Sequence, residues 1–224
     1  AGGVLHQVNL FLADGTAIEE TVAEIPEAIV PTSANYHYLC SVNTDNMEKY
    51  CLDLRVADRE QLSPHHVLLK LTSDEALPHT LPGQFVNLRA DQGGRPLLRR
   101  PISINFQDYD DNTLWLLIAA VGEGTRYLCS LQKGDVVNCL FPLGRPFSEP
   151  EKVDSHVLLV GGGVGVAPML MQGAHLAGLG HSVTFLLGAK TKDDLLELSL
   201  FEKWGDVKIT TEDGSLGERG FVTN

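Results

Sequence analysis

Positive charge is scarce in this chain. Lys and Arg number 17 against 29 Asp and Glu, a formal net charge of −12 over 224 residues. So acidic a surface repels phosphate backbones and anionic lipid, and neither nucleic acid nor a membrane is expected as a partner. No apolar run approaches the roughly 18 residues that a membrane span needs. The first residues lack the basic-then-apolar pattern of a secretory signal. Cysteine is also scarce. Cys40, Cys51, Cys129 and Cys139 form no CxxC pair, which argues against a disulfide scaffold or zinc ribbon and for free thiols in a reducing cytoplasm. No Gly-Lys-Ser/Thr closes a P-loop, and no Ser/His/Asp set is readable. His65-His66 has no further ligand at metal spacing and reads as a surface pair, so no metal site is expected in this chain. There is no internal repeat. Hydrophobic residues at 43% and charged residues at 21% are ordinary globular usage and exclude collagen-like, coiled-coil and disordered chains.

Turn formers are plentiful: Gly 22 and Pro 11 favour a β or α/β architecture over a helix bundle. Residues 1–46 show one candidate strand, Val8 to Leu12, and no periodic face; the chain begins with Ala, and Met47 is the expected true start of the folded protein. This segment reads as an N-terminal appendage. Residues 47–150 alternate with period two at Leu52/Leu54/Val56, Val67/Leu69/Leu71, Ile102/Ile104/Phe106 and Leu114/Leu116/Ile118, with glycine, proline and aspartate turns between. Short strands at that spacing predict a small antiparallel barrel. Residues 151–224 change grammar: strands at His156–Val160, Val183–Leu187 and Val207–Thr210 alternate with helices at Val166–Ala177 and Asp193–Trp204. That order predicts a parallel sheet with right-handed crossovers. Three strands make a small sheet, so this domain is expected to be incomplete. The fold class is therefore β + α/β, an antiparallel barrel followed by a truncated parallel-sheet domain.

Four stretches could carry chemistry. In Arg100-Pro101-Ile102-Ser103, a proline inside a strand marks an edge or a gap in the ladder; Arg100 could hold a phosphate and Ser103 could donate to a ring. An edge strand with a surface arginine is the plainer reading. In Gly122-Glu123-Gly124-Thr125, glycines open a helix whose free N–H groups suit a phosphate, or else form a plain turn with Thr125 as N-cap. Gly161-Gly162-Gly163-Val164-Gly165-Val166-Ala167-Pro168 stands where a dinucleotide loop belongs, with Pro168 in the first helical turn, although Val166 occupies the third glycine position of GxGxxG. A ligand-free glycine turn is the alternative. Asp213, in Thr211-Glu212-Asp213-Gly214-Ser215, could hold ribose hydroxyls or belong to a solvated acidic turn. Cys129, Cys139, Met169 and Met171 read as core fillers.

These stretches, in this order and across a barrel-to-α/β switch, resemble the ferredoxin–NADP reductase superfamily. Within it, LRRPISI, VGEGTRYL, PLGRPF, VGGGVGVAPML and TEDGSLGERGFVT are most similar to the electron-transfer subunits of class 1B dihydroorotate dehydrogenase, from about Met47 to Asn224. The resemblance implies an FAD-binding barrel. Arg100, Pro101, Ile102 and Ser103 would form its flavin motif, Leu117, Ile118 and Ala119 a flavin-lining strand, and Gly124 and Thr125 the diphosphate turn. Gly161, Gly162, Gly163, Gly165 and Pro168 would receive NADH as electron donor. It also implies an FMN-containing dihydroorotate dehydrogenase catalytic subunit as partner, in pyrimidine biosynthesis, and a [2Fe–2S] cluster in the complete family protein. That cluster needs four close cysteines. They are absent here, and the chain is expected to lack its C-terminal cluster arm. Two other functions stay open: a related NAD(P)H-linked flavoprotein subunit of the sulfide dehydrogenase or ferredoxin:NADP oxidoreductase type, and a non-catalytic flavin-binding scaffold. Lys190 and Lys192 could pair with a 2′-phosphate, so preference for NAD over NADP rests on the resemblance.

Overall fold

Alternating side chains build the first of two units. The computed structural model describes residues 7–9, 48–90 and 98–223, and the chain divides into Val42–Phe147 and, separately, Ser148–Asn224 with Ala1–Ser41. The first unit contains β2 (Tyr50–Ser63), β3 (His66–Thr72), β4 (Phe85–Leu88), β5 (Arg100–Asp108), β6 (Thr113–Ala119), α1 (Glu123–Ser130) and β7 (Val136–Leu143). Its six strands close into an antiparallel barrel in the order β2-β3-β6-β5-β4-β7. The alternating residues point inward as expected: Leu54, Val56, Leu69, Leu71, Ile104, Leu114, Leu116 and Ile118 are all buried. Cys129 and Cys139 are buried as well.

Pro101 does not make β5 an edge, because β5 lies between β4 and β6. The proline instead marks a gap. Pairing of β5 with β6 begins only at Ile104 and Leu116, so Arg100–Ser103 pairs with β4 alone and Leu117–Ala119 pairs with β3 alone. At the start of β3, His65 is exposed as the sequence suggests. His66 opens the strand rather than preceding it, is half-buried, and its Nδ1 lies 2.8 Å from Ser63 Oγ.

The second unit is a parallel sheet in the order β1-β8-β9-β10-β11. Its strands are β1 (Gln7–Asn9), β8 (His156–Gly162), β9 (Ser182–Ala189), β10 (Asp206–Thr211) and β11 (Glu218–Arg219). The expected three strands are thus five. The additions are β11, which is too short to show a period, and β1, which pairs with β8. The rest of the Val8–Leu12 expectation lies outside the described residues. A 3-10 turn at Gly163–Val166 leads from β8 into α2 (Ala167–Gly178), where Met169 and Met171 are buried.

The helix expected over Asp193–Trp204 is broken. Residues Lys192–Asp194 form a 3-10 turn held by Thr191 Oγ1 donating to Asp194 Oδ2 at 3.0 Å, and Glu197 is left-handed at φ 58°. Only α3 (Leu198–Phe201) remains helical, and it buries Phe201. A Cβ on Gly173 would stand 2.1 Å from Phe185 Cζ, so glycine lets α2 settle directly onto that ring. Phe201 meets the same ring edge-on at 4.9 Å, which places both helices on the Phe185 face of the sheet.

Segment 148–155 is fastened to α2 and to the turn that follows it by titratable groups. His175 Nε2 lies 2.6 Å from Glu149 Oε1, and Ser155 N–H donates to His181 Nδ1 at 3.1 Å. The His175 bond holds the Glu149 carboxyl below its usual range, against the opposing effect of burial. Burial lowers His181, so its Nδ1 stays an acceptor at neutral pH. A depressed carboxyl contributes stability above its unfolded pKa and loses it as pH falls through the folded value. The stability difference between the parent and Glu149→Gln is therefore expected to be full at pH 7 and to shrink below about pH 4.3, where free glutamate titrates. Thermal midpoints across pH 3–7 measure it. A difference constant over that range would contradict the assignment.

Candidate cofactor sites

The gap in the barrel wall gathers three of the predicted stretches. One edge is Arg100–Ser103 and the other Leu117–Ala119, both without a ladder partner across the gap. Backbone groups on such edges are strong donors and acceptors awaiting partners. The side chains divide accordingly. Pro101 and Ser103 are exposed, whereas Leu117 and Ile118 are buried, 2% and 0% exposed. Whatever Leu117 and Ile118 offer a ligand is therefore main chain, while Ser103 presents a hydroxyl.

Directly after β6 the chain enters α1. Thr125 is not the N-cap; Gly122 is, and Thr125 stands three residues on. Its Oγ1 accepts the N–H of Gly122 at 3.0 Å and of Val121 at 3.1 Å. That hydroxyl fixes the loop ahead of the helix, whose first-turn N–H groups have no intrahelical acceptor. The Arg100 side chain lies over this turn. A Cβ on Gly124 would stand 2.5 Å from Arg100 Nε, so glycine lets the guanidinium settle there without shifting. Arg100 Nη1 donates to Leu98 O at 2.8 Å, and nothing lies within 4 Å of where a Cβ on Gly122 would stand. A guanidinium, a helix N-terminus and bare glycine backbone together are chemically suited to an anionic group such as a diphosphate.

Sequence reasoning missed Arg126. It sits one residue past Thr125, and its Nη2 donates to Val121 O at 3.3 Å. Its signal was available, since a long side chain at that position reaches back toward the helix N-terminus.

In the second unit the glycine loop lies at the C-terminal end of β8. Gly161 is buried, and a Cβ there would stand 3.1 Å from Val166 Cα. Gly163 has φ +54°, and a Cβ on it or on Gly165 would meet nothing within 4 Å. Gly162 is register partner to Gly188 at the end of β9. Pro168 falls in the first turn of α2. The loop is thus tight underneath and open above, the form that admits a pyrophosphate.

Asp213 is exposed after β10. Its Oδ1 accepts from Ser215 Oγ at 2.7 Å and from Ser215 N–H at 3.0 Å, and these bonds hold its carboxyl below the usual range. Ser215 Oγ in turn accepts the Lys192 N–H at 2.8 Å. Asp213 therefore shapes the turn and ties it to the loop after β9.

No group of three or more His, Cys, Asp or Glu stands close enough to hold a metal among the described residues. The described cysteines do not fit an iron–sulfur cluster either. Cys51 is exposed, Cys129 and Cys139 are buried, and burial pushes the Cys139 thiol up to about 12. Cluster ligation requires thiolates. No helix among the described residues is long and apolar enough to cross a membrane.

No family model matches the chain. Curated relatives do. The chain is 34% identical over 173 residues to the dihydroorotate dehydrogenase B (NAD(+)), electron transfer subunit of Fusobacterium nucleatum, covering 77% of this chain and 67% of that one. It is 38% identical over 170 residues to the subunit of the same name from Bacillus mycoides, covering 75% and 66%. Among solved structures, an NADH-dependent reduced ferredoxin-NADP oxidoreductase superposes with a TM-score of 0.67 at 28% identity, over 76% of this chain and 60% of that one. The matched region thus spans about two thirds of these curated relatives' length.

Proposed function

This chain belongs to the family of dihydroorotate dehydrogenase B electron transfer subunits, and on that premise we propose that it binds FAD on its barrel unit and NADH on its parallel-sheet unit. Electrons then pass to an FMN-containing catalytic subunit that oxidises dihydroorotate, in the reducing cytoplasm where pyrimidines are made. FAD, when bound, supplies the conversion between two-electron hydride chemistry and one-electron transfer. The [2Fe–2S] cluster of the complete family protein has no ligand set among the described residues, and no step here depends on it.

The observation that carries this reading is the gap between β5 and β6 with Arg100 laid over Gly124 beside it. Arg100 and the first-turn amides of α1 face the diphosphate, the guanidinium supplying formal charge and the amides hydrogen bonds. The main chain of Leu117–Ala119 borders the ring, and the Ser103 hydroxyl donates to it. Gly161, Gly162, Gly163 and Gly165 bring backbone close to the NADH pyrophosphate, with Pro168 starting the helix that faces it. Asp213, through Ser215, sets the loop after β9, which neighbours the ribose. None of these residues acts as an acid or base on substrate; they bind, orient and exclude water.

The protein mixed with FAD is expected to bind it near one to one, and the yellow colour is expected to bleach on adding NADH under anaerobic conditions. A protein that ignores FAD would overturn the reading. One that stays yellow with NADH would leave only a flavin-binding scaffold.

A further inference from the structure

We infer that Arg126 is a second cationic contact for the FAD diphosphate, acting with Arg100 at the first turn of α1. The inference rests on the flavin reading above and assigns a residue that the motif resemblance leaves out.

Its basis is a charge arrangement that is unfavourable without a ligand. The N-terminus of a helix carries roughly half a positive charge, and cations are disfavoured there. Yet two guanidiniums are held at this one. Arg100 is packed against Gly124, and Arg126 is anchored on Val121 O at 3.3 Å. Among the described residues no carboxylate pairs with either; ion pairs such as Arg55–Asp74 and His175–Glu149 lie elsewhere. Glu123 is the one acidic group in the turn, and it bonds to neither arginine. The chain has only 17 Lys and Arg against 29 Asp and Glu, so carboxylates to quench both are plentiful elsewhere. Two guanidiniums with no carboxylate partner among the described residues, set on a positive helix end, are satisfied by one ligand carrying two adjacent negative charges. A diphosphate linker is that ligand, and Gly122 leaves the approach open.

The same arrangement separates a binding role from a structural one. If Arg126 held the fold, removing it would lower the stability of the cofactor-free protein. If it waits for an anion, removal relieves repulsion at the helix end and leaves that stability unchanged or raised. The test uses the 224-residue chain and the variants Arg126→Ala and Arg126→Lys, with FAD as the probe. FAD affinity is titrated at several salt concentrations, and thermal midpoints are read without cofactor. Arg126→Ala is expected to weaken FAD about tenfold and to flatten the salt dependence of the affinity, because one charge contact is gone. Arg126→Lys is expected to recover most of that loss. Unchanged FAD affinity, a loss with undiminished salt dependence, or a lowered cofactor-free midpoint would each overturn the inference. A parent protein that binds no FAD would overturn the flavin reading itself and this inference with it.

Discussion

Arg100→Ala is expected to fold normally and to lose most of its FAD. The side chain's bonds are local, to Leu98 O at 2.8 Å and Arg99 O at 3.4 Å, so the barrel does not depend on it. Its proposed contribution is to the cofactor. A charged hydrogen bond to a diphosphate contributes about 1.5–3 kcal/mol, which corresponds to roughly a 10- to 150-fold weaker Kd. Arg100→Lys is expected to fall between, since lysine keeps the charge and loses the planar fork. Fluorescence titration with FAD and the flavin-to-protein ratio after gel filtration measure both variants. Parent-like stoichiometry in Arg100→Ala would remove this residue from the site.

Phe185→Ala is expected to be the most destabilising single change in the parallel-sheet unit. The ring is 0% exposed and fills the space left by Gly173 on one side while meeting Phe201 on the other. Deleting a buried phenylalanine costs about 3–5 kcal/mol through lost burial and the cavity left behind. The glycine offers a way to check the cause. In the Phe185→Ala background, Gly173→Val should refill part of the cavity and recover part of the loss; in the parent it should destabilise by overpacking. Urea unfolding of the four proteins gives the cycle. A loss under about 1 kcal/mol, or simple additivity, would show that α2 is not seated on this ring.

Much of the fold was legible because burial in a barrel has a period. Leu54 and Val56, or Leu114, Leu116 and Ile118, announce their inward face in one dimension. The strand–helix grammar after Pro150 likewise gave the parallel sheet, and the glycine stretch fell at the end of β8 as expected. What failed was decided by local chemistry without a period. Thr191 and Asp194 close a side-chain turn and Glu197 turns left-handed, which breaks an otherwise helical pattern. The two-residue β11 is too short to carry any signal. In the site, residue types were readable but meetings were not. Arg100 and Gly124 are far apart in the chain, and only the folded barrel shows that one rests on the other. Glu149 with His175 is a similar long-range meeting. The role of Gly173 is also invisible in one dimension, because its partner Phe185 lies on the next strand.

The unzipped stretch of barrel wall bears on how relatives of this protein should be compared. Along Leu117–Ala119 the groups proposed to border the cofactor are peptide units, identical in every sequence, while the buried Leu117 and Ile118 side chains answer to the packing behind them. Drift at those positions therefore says little about whether a cofactor is kept. Homologues are better sorted by the proline that parts the strands, the arginine before it, and the glycine that makes room for that arginine.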